Sequence, residues 1–412
     1  RPCGRPPGAR FPKGSSRMLL STRRLDLDFG SRLSFGVGAV DGIGNLVGEC
    51  GGRRAFVVTD PGVSKAGVTD LVRRRVKEGS DSAVFEGVAP NPTTHDVEKG
   101  GVALEEFGTE QTVVVAVGGG SAMDAAKAIS LYATNGGSAR ELADPGKEIR
   151  PGLPIVAVPT TAGTAAETNG FGVITDPVEE RKFYVGHDSV KPRRCVLDPA
   201  LTVGLPPAIT AATGVDAMTH ALEALMSRNA NPVADGLALR AIGMVAAWLL
   251  TAVGHGENIE ARSQMLLASN VAGQAFATGT GLGLCHAIAH PLGARLGVPH
   301  GVAIAGVLAE VMRFNLPVSA EKIALAACSL GVAEGSASSE ANARAAVGAV
   351  ESIVAEALGD DVLSGVVPSR GMLDTIVGDA LADPVIDNTP RMPTAEQVEG
   401  ILSRTVGSAD TA

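Results

Sequence analysis

Cysteine is scarce in this 412-residue chain, and the five cysteines are scattered at Cys3, Cys50, Cys195, Cys285 and Cys328. Their number is odd, and no two of them form a CxxC pair. This distribution argues against a disulfide framework and against a thiolate zinc site. It favours a reducing compartment, so we expect a cytoplasmic protein.

Positive charge and long apolar runs are also scarce. The net charge is −9, and the only basic concentration without acids lies in the first seventeen residues. A chain without a basic stripe is a poor partner for nucleic acid. The longest apolar run, AIGMVAAWLLTAV at 241–253, has thirteen residues and is too short to cross a bilayer, so we predict no membrane association.

The first seventeen residues are rich in proline, glycine and arginine and lack the apolar stretch of a secretory signal. We interpret 1–17 as a disordered tail or as a start site misplaced upstream of Met18. The remaining chain is long enough for two domains. We predict an α/β domain over 18–205 and an all-helical domain over 206–412, because a proline pair follows Leu205 and the composition changes there.

Short runs rich in β-branched residues alternate with helical patterns in the first half. The runs RAFVVTD, AVFEGV, TVVVAV and LPIVAVPT begin at Arg54, Ala83, Thr112 and Leu153. Strands that alternate with helices indicate a parallel sheet, and nearly continuous apolar strands indicate that both of its faces are covered. GFGVITD and RKFYVG, around DPVEE, predict an additional hairpin.

From Ala208 onward no strand pattern is found, and apolar residues recur with helical periodicity. The predicted helices are 232–253, 259–277, 301–315, 319–330, 340–358 and 394–406, with Ser319 and Thr394 as N-caps. The predicted fold class is therefore an α/β parallel-sheet domain followed by an all-α domain.

A glycine cluster of Gly118, Gly119 and Gly120, followed by Ser121, separates the strand TVVVAV from a helical pattern. Backbone N–H groups at such a junction can approach a phosphate closely, and the helix N-terminus favours an anion. The cluster indicates a pyrophosphate site, and a tight turn without a ligand would show the same residues. The GxGxxG fingerprint is absent.

Two further segments are typical of a dinucleotide site. Asp60 ends the strand RAFVVTD, where a carboxylate can accept hydrogen bonds from an adenosine ribose and would repel a 2′-phosphate. NAD(H) is therefore favoured over NADP(H). The loop PTTAGTAAET supplies hydroxyls and small residues that can surround a ribose, and a plain surface loop fits equally well.

Candidate metal ligands are concentrated in two stretches of the second half. GVDAMTHALEAL places Asp216 and His220 one helical turn apart, and CHAIAHPLGARLGVPHG supplies His286, His290 and His300. Residues at i and i+4 share a helix face, so Asp216 and His220 can bind one ion that His286 and His300 complete. Imidazole nitrogen with one carboxylate suits Fe(II), zinc, nickel or cobalt.

His290 lies one helical turn after His286 and has two interpretations. It could be a fifth ligand, or it could relay a proton beside the ion, since the unperturbed pKa of histidine is about 6.5. A nucleotide sheet combined with a Lewis acid predicts a dehydrogenase that transfers hydride between an alcohol and a nicotinamide. Asp216, His286 and His290 are its candidate catalytic residues.

Four motifs in this order, GGGSAMDAAK, PTTAGTAAET, ATGVDAMTHALEA and GLGLCHAIAHPLGARLGVPHGVA, resemble those of the iron-containing (group III) alcohol dehydrogenases, particularly the lactaldehyde reductase branch. The similarity covers nearly everything after Met18. It implies a Rossmann-like first domain, a helical second domain, an active site in the cleft between them, and a homodimer.

The resemblance also implies roles for individual residues. Asp216, His220, His286 and His300 correspond to the metal ligands, and His290 corresponds to a histidine that lies near the substrate without binding the metal. The implied NAD(H) contacts are Asp60, Gly118, Gly119, Gly120, Ser121, Thr160 and Thr161, joined by Asn91 and Lys182. The chain departs from the usual family loop at 167–170, where the pocket wall is expected to differ.

The leading hypothesis is a metal-dependent, NAD(H)-linked alcohol dehydrogenase or aldehyde reductase for a short-chain primary alcohol or aldehyde. An alternative is a reductase of an anionic aldehyde such as phosphonoacetaldehyde, with Arg391 and Lys182 as candidate basic residues. A lyase of the dehydroquinate synthase type binds zinc through a glutamate and two histidines, so Asp216 with His220 argues against it. Four intact ligands argue against a scaffold that has lost its activity.

Overall fold

The computed structural model describes residues 27, 29, 31–77 and 81–407, so the predicted tail at 1–17 lies outside the described residues. The strands are β1 (Arg32–Phe35), β2 (Arg54–Val58), β3 (Asp81–Phe85), β4 (Thr112–Gly118), β5 (Ile155–Pro159), β6 (Phe171–Asp176), β7 (Arg181–Gly186) and β8 (Arg194–Leu197). The α-helices of the first half are α1 (Ile43–Glu49), α2 (Pro61–Lys65), α3 (Val68–Lys77), α4 (Thr94–Phe107) and α5 (Gly120–Asn135).

Six of the strands form a parallel sheet in the order β1-β8-β5-β4-β2-β3. The central strand β4 alternates its side chains between two separate apolar cores: Val113 and Val115 belong to one, and Val114 and Ala116 belong to the other. Both faces of the sheet are therefore covered, which confirms the prediction of a parallel α/β domain. β6 and β7 form the predicted antiparallel hairpin.

The sheet also contains two strands that the sequence patterns did not predict. β1 and β8 have four residues each, and each includes an arginine, so neither gives a long β-branched run. The run AVFEGV was placed too late, because its strand ends at Phe85 and pairs Asp81 with Arg54.

The second half is helical, and no strand lies beyond Leu197 in the part of the chain that the structure describes, as predicted. Its helices are α6 (Pro207–Met226), α7 (Pro232–Gly254), α8 (Ile259–Ala275), α9 (Leu284–Leu296), α10 (His300–Ser329), α11 (Ser339–Leu358), α12 (Arg370–Ala382) and α13 (Ala395–Thr405). They surround one large apolar core.

The prediction of separate helices at 301–315 and 319–330 was wrong, because α10 is continuous and Ser319 is a buried residue inside it. Pro317 lacks an N–H donor, but Leu316 and Ile323 on either side of it are buried in the helical core. Packing on both sides of the proline therefore outweighs the lost hydrogen bond. Helix α12 was not predicted.

By length and composition alone, α7 and α10 could each cross a membrane. The prediction of no membrane association considered only the continuous apolar run at 241–253 within α7, which is shorter than the helix itself. In the fold, 39% and 50% of their most apolar windows are buried. Both helices pack against α6 and α11 in the helical half.

Candidate active site

Helix α6 carries three buried ionisable residues on one face. Asp216, His220 and Glu223 stand at positions i, i+4 and i+7, and their exposed fractions are only 1%, 3% and 4%. The remainder of the helix consists largely of alanine, leucine and methionine that pack into the helical core. Charged and imidazole groups buried this deeply require partners, since an unpaired buried charge is costly.

Three histidine rings from different elements converge on Asp216. Its Oδ1 atom lies 3.6 Å from Nε2 of His220, 3.6 Å from Nε2 of His286 and 3.8 Å from Nε2 of His300. His286 belongs to the start of α9 and His300 is the first residue of α10. The four predicted ligands thus meet at one point, with ligand atoms of Asp216, His286 and His300 all within 4.8 Å of one another.

The hydrogen bonds of the rings determine which atoms face that point. Nδ1 of His220 is 3.2 Å from the carbonyl oxygen of Gly163, and Nδ1 of His286 is 2.6 Å from Oε2 of Glu223. Because both partners only accept, each Nδ1 carries a proton, and Nε2 of each ring in its neutral form carries a lone pair. These two Nε2 atoms nevertheless lie 3.0 Å apart.

Two neutral rings at this distance would direct lone pairs at each other, and Asp216 Oδ1 has no hydrogen-bond partner among the described residues. A cation between these atoms satisfies all of them at once. Three imidazole nitrogens and one carboxylate oxygen form a donor set that suits a divalent first-row metal ion. The residues present therefore fit the metal that the sequence predicts.

Glu223 is a component of the site that the sequence analysis missed. Besides orienting His286, it accepts hydrogen bonds from the backbone N–H groups of Gly283, at 3.0 Å, and Cys285, at 2.7 Å. These bonds hold the N-terminus of α9 against α6. Its position seven residues after Asp216, on the same helix face, was the available signal.

The pKa values of the ligand set reflect burial and mutual charge. Burial opposes ionisation of Asp216, but His220, His300 and His286 outweigh it and lower the pKa of this carboxyl. Burial also opposes protonation of His286, but the carboxylates of Glu223 and Asp216 raise its pKa to about 9. A metal ion that binds Nε2 of His286 therefore displaces a proton from it. Burial lowers the pKa of His220 and of His300, which favours the neutral rings that a metal requires.

His290 adjoins these rings but is directed to other partners. Its Nδ1 atom lies 2.7 Å from Oδ2 of Asp383, and its ring stacks on that of His300 with centroids 5.7 Å apart. Burial lowers its pKa, and Asp383 opposes that shift. His290 thus lies beside the four predicted ligands, and its Nδ1 atom faces Asp383.

The glycine cluster lies at the junction of β4 and α5. Gly118 has a φ of +149°, and a Cβ atom there would lie 2.6 Å from the Cβ of Ala122. Gly119 precedes α5, and no described side chain caps this helix. The first N–H groups of α5 are therefore available to an anion.

The other predicted nucleotide contacts surround this junction. Asp60 ends the segment after β2 and caps α2 by accepting hydrogen bonds from Gly62 and Val63 at 2.8 and 3.0 Å. Thr160 donates its backbone N–H to the carbonyl oxygen of Gly118 at 2.9 Å, which places Thr161 beside Gly119.

Asn91 and Lys182 form a further pair, with Nζ of Lys182 donating to Oδ1 of Asn91 at 3.0 Å. Burial lowers the pKa of Lys182 to about 8, against the carboxylates of Asp124, Asp383 and Asp216.

One cleft of about 1860 Å³ joins the predicted nucleotide contacts to the predicted metal ligands. Its wall contains every residue predicted for the cofactor except Gly118, which lies behind it, together with Asp216, His220, His286, His290 and His300. Arg391 is not part of this wall, because it donates to the carbonyl oxygen of Phe314 at 3.1 Å and stacks on that ring. Of the two basic residues considered for an anionic substrate, only Lys182 lines the cleft.

Two family models match the chain. The model described as iron-containing alcohol dehydrogenase matches residues 30–199, and the model for the C-terminal part of the Fe-containing alcohol dehydrogenase family matches residues 210–406. Probable alcohol dehydrogenase EutG of Escherichia coli (strain K12) is 38% identical over 369 residues, which cover 89% of this chain and 91% of that protein. The 1,3-propanediol dehydrogenase of Klebsiella pneumoniae is 42% identical over 294 residues, which cover 70% and 75%.

Solved structures show the same fold. A crystal structure of 1,3-propanediol oxidoreductase matches with a TM-score of 0.87 and 35% identity, covering 93% of this chain and 100% of that chain. A crystal structure of sulfoacetaldehyde reductase from Bifidobacterium kashiwanohense, solved in complex with NAD+, matches with a TM-score of 0.81 and 27% identity, covering 93% and 99%.

Proposed function

Because the chain belongs to the iron-containing alcohol dehydrogenase family, we propose that Asp216, His220, His286 and His300 hold its metal ion, with Fe(II) as the resident ion. The enzyme transfers hydride between NAD(H) and an alcohol or aldehyde. The observation that carries the ligand assignment is the buried, unpartnered Oδ1 of Asp216 among three Nε2 atoms of the described histidines. When bound, the ion supplies Lewis acidity to the substrate oxygen.

His290 is the proposed proton acceptor. In the oxidation direction a hydride leaves the carbinol carbon for NAD+, and a proton leaves the hydroxyl group. The His290 ring lines the cleft beside His286 and His300, and burial favours its neutral form. A neutral imidazole with a free nitrogen lone pair can accept the hydroxyl proton. In the reverse direction the same group returns the proton to the product oxygen.

NAD(H) is proposed to bind along the β4–α5 junction. Gly119, Gly120 and Ser121 present the uncapped N-terminus of α5 to the pyrophosphate, and Gly118 allows the chain to pass closely behind it. Asp60 favours NAD(H) over NADP(H), since its carboxylate would repel a 2′-phosphate. Thr160, Thr161, Asn91 and Lys182 are proposed as further contacts on the cleft wall.

The proposed substrate is a short primary alcohol or aldehyde. Phe276, Leu282 and Val385 supply apolar wall to the cleft, and the ring centroid of Phe276 lies 5.1 Å from that of His220. An anionic aldehyde is a second candidate because Lys182 lines the same cleft. The carboxylates of Asp124, Asp383 and Asp216 act on Lys182 as well, because they oppose the burial that lowers its pKa. An anion at Lys182 would meet these carboxylates too, so a neutral substrate is the leading proposal.

The two-domain division at 205/206, the homodimer and the cytoplasmic location are proposals of the same kind. The division is supported by the position of the last strand, β8, which ends at Leu197, and by the first helix of the helical half, α6, which begins at Pro207. Apolar side chains of Leu33, Phe35 and Val37 are exposed at or beside the edge strand β1, which would suit a dimer contact. Free thiols at Cys50, Cys195, Cys285 and Cys328 are consistent with a reducing compartment.

Anaerobic purification, metal analysis and NADH oxidation across a panel of short aldehydes test this proposal. The panel includes neutral, hydroxylated and phosphonate-bearing members. We expect about one divalent ion per chain and turnover of neutral aldehydes, and His300→Ala should lose both. His95→Ala, which alters an exposed histidine of α4, is the control. Full turnover by a metal-free His300→Ala protein would refute the ligand assignment.

A further inference from the structure

A second hydrogen-bonded group lies next to the proposed metal ligands, formed by His290, Asp383 and Tyr184. These residues come from α9, from the segment after α12 and from β7. Nδ1 of His290 lies 2.7 Å from Oδ2 of Asp383 and 3.3 Å from the hydroxyl oxygen of Tyr184. The Tyr184 hydroxyl donates to Oδ1 of Asp383 at 3.2 Å. The three side chains thus form a closed triangle at the edge of the cleft.

Both oxygens of Asp383 are engaged. Oδ2 faces His290, and Oδ1 accepts from the Tyr184 hydroxyl and from the backbone N–H of Val385, at 3.0 Å. Burial opposes ionisation of Asp383, but these donors lower its pKa below the ordinary value. Asp383 is therefore a carboxylate, which can only accept hydrogen bonds.

This arrangement fixes the tautomer of His290. The Asp383 carboxylate cannot donate, and the hydroxyl proton of Tyr184 is used in the bond to Oδ1 of Asp383. Nδ1 must therefore carry the ring proton, and the neutral ring has its lone pair at Nε2. The ring lines the cleft, so Nε2 is the nitrogen that remains for a substrate. An acceptor at Nε2 is what the oxidation direction requires.

The side chain of Tyr184 is packed between two other rings. Its ring meets Phe171 edge to face with centroids 5.8 Å apart, and it meets His290 in the same way at 6.0 Å. Burial and the charge of Asp383 raise the pKa of its hydroxyl, which keeps it a donor. Tyr184 therefore restrains both Asp383 and the plane of the His290 ring.

We propose that Asp383 and Tyr184 are positioning residues that hold His290 in the Nδ1-protonated tautomer, with Nε2 free to take the substrate proton. The inference rests on the proposed function of His290. Neither residue needs to touch the substrate, and neither is within the proposed ligand set. Their proposed effect on the proton transfer passes through His290.

Asp383→Asn is the most informative change. The backbone N–H of Val385 retains the amide oxygen on the Oδ1 side, so the amide nitrogen faces Nδ1 of His290 and donates to it. The ring then carries its proton on Nε2 and cannot accept another. We expect kcat to fall on the order of 100-fold, with the KM for NAD+ and the metal content unchanged.

A double-mutant cycle separates positioning from a general structural effect. In the His290→Gln background, Asp383→Asn should reduce kcat by less than about twofold, because its target is already absent. Asp387→Asn, an exposed aspartate of the same segment, is the matched control and should resemble the parent in both backgrounds. A wild-type kcat for Asp383→Asn, or an equal loss in both backgrounds, would overturn the inference.

Tyr184→Phe provides a second variant if Asp383→Asn loses its metal or its fold. Tyr184→Phe retains the hydrogen bond between Asp383 and His290, so its loss of kcat in the wild-type background should be only several-fold, smaller than that of Asp383→Asn. In the His290→Gln background, adding Tyr184→Phe should leave kcat equal to that of His290→Gln alone. An unchanged kcat in the wild-type background would also overturn the inference. A His290→Gln protein with full kcat would instead refute the proposed role of His290, which distinguishes the two failures.

Discussion

Glu223 accepts three hydrogen bonds, one from the ring of His286 and two from the first turn of α9. It thereby sets both the tautomer of a proposed metal ligand and the position of the helix that carries it. A carboxylate that orients a ligating histidine raises the basicity of that ligand. Glu223 thus acts on the proposed metal through His286, without belonging to the donor set.

Glu223→Gln should weaken metal binding by about 10-fold to 100-fold. The amide can donate to Nδ1 of His286, which would move the ring proton to Nε2, the atom that must bind the ion. Metal affinity is measured by competition with a chelator. Glu321→Gln, on the exposed side of α10, is the control. An unchanged dissociation constant would show that Glu223 has no part in ligand orientation.

Asp60→Asn should raise the preference for NADPH over NADH by about tenfold, measured as the ratio of the two kcat/KM values. The substitution removes the negative charge but keeps the oxygen that caps α2 through Gly62 and Val63. Any change in cofactor preference then reflects charge rather than a damaged helix. Asp70→Asn, an exposed change in α3, should leave the ratio unchanged. The same ratio in both variants would remove Asp60 from cofactor selection.

The sequence was most informative about residues that stand close together in the chain. Asp216 and His220 are one turn apart, and His286 and His300 share one stretch, so their convergence was predictable. Glu223 shares the helix face of Asp216 and could have been recognised. Asp383 and Tyr184 could not, because they lie 93 and 106 residues from His290, and nothing in their local pattern indicates the contact.

At the scale of elements, the junction of β4 and α5 joins the sheet core to the proposed cofactor site. Gly118 ends the strand with a positive φ, and a Cβ atom there would lie 2.6 Å from the Cβ of Ala122 and 3.3 Å from Oδ2 of Asp60. Only glycine fits there without a clash. Gly118 lies behind the cleft wall, and its conformation allows the N-terminus of α5 to approach a pyrophosphate closely.

Gly118→Ala should destabilise the fold by about 1–3 kcal/mol and weaken NAD+ binding. The added methyl group would lie 2.6 Å from the Cβ of Ala122, so the start of α5 must shift. Thermal unfolding and NADH fluorescence titration measure the two effects. Gly48→Ala, in α1, has open space around the new methyl group and should be neutral. Wild-type cofactor affinity in Gly118→Ala would argue against the junction as the phosphate site.

Elements with a strong local pattern were predictable, and those stabilised by distant contacts were not. The valine-rich runs of β4 and β5 predict strands that are buried on both faces. β1 and β8 are short and depend on each other and on β5 for pairing. A proline within a helical pattern normally indicates the end of a helix. Helix α10 nevertheless continues through Pro317, because buried residues on both sides of the proline pack into the helical core.

At the scale of the whole molecule, the sheet contributes one wall of the cleft and the helices contribute the other. The proposed cofactor contacts lie mainly on the sheet side, and the proposed metal ligands lie on α6, α9 and α10. The edge of the sheet at β1 is a separate surface. There, Leu33 and Phe35 point to the same face and are 41% and 45% exposed.

Phe35→Glu should shift the protein from dimer toward monomer, raising the dimer dissociation constant by at least about tenfold. A carboxylate at this edge would be desolvated in a dimer and repelled by its counterpart across a twofold axis. Light scattering coupled to size-exclusion chromatography measures the mass. Val178→Glu, at the exposed turn of the β6–β7 hairpin, is the control. A monomeric wild-type protein, or a dimeric Phe35→Glu variant, would contradict the proposed interface.

Anomalous diffraction from crystals of anaerobically purified protein, recorded at the absorption edge of the bound metal, tests the central claim most directly. The account predicts one peak per chain, about 2.0–2.2 Å from Oδ1 of Asp216 and from the Nε2 atoms of His220, His286 and His300. A metal-loaded protein whose peak lies away from these four atoms would contradict it.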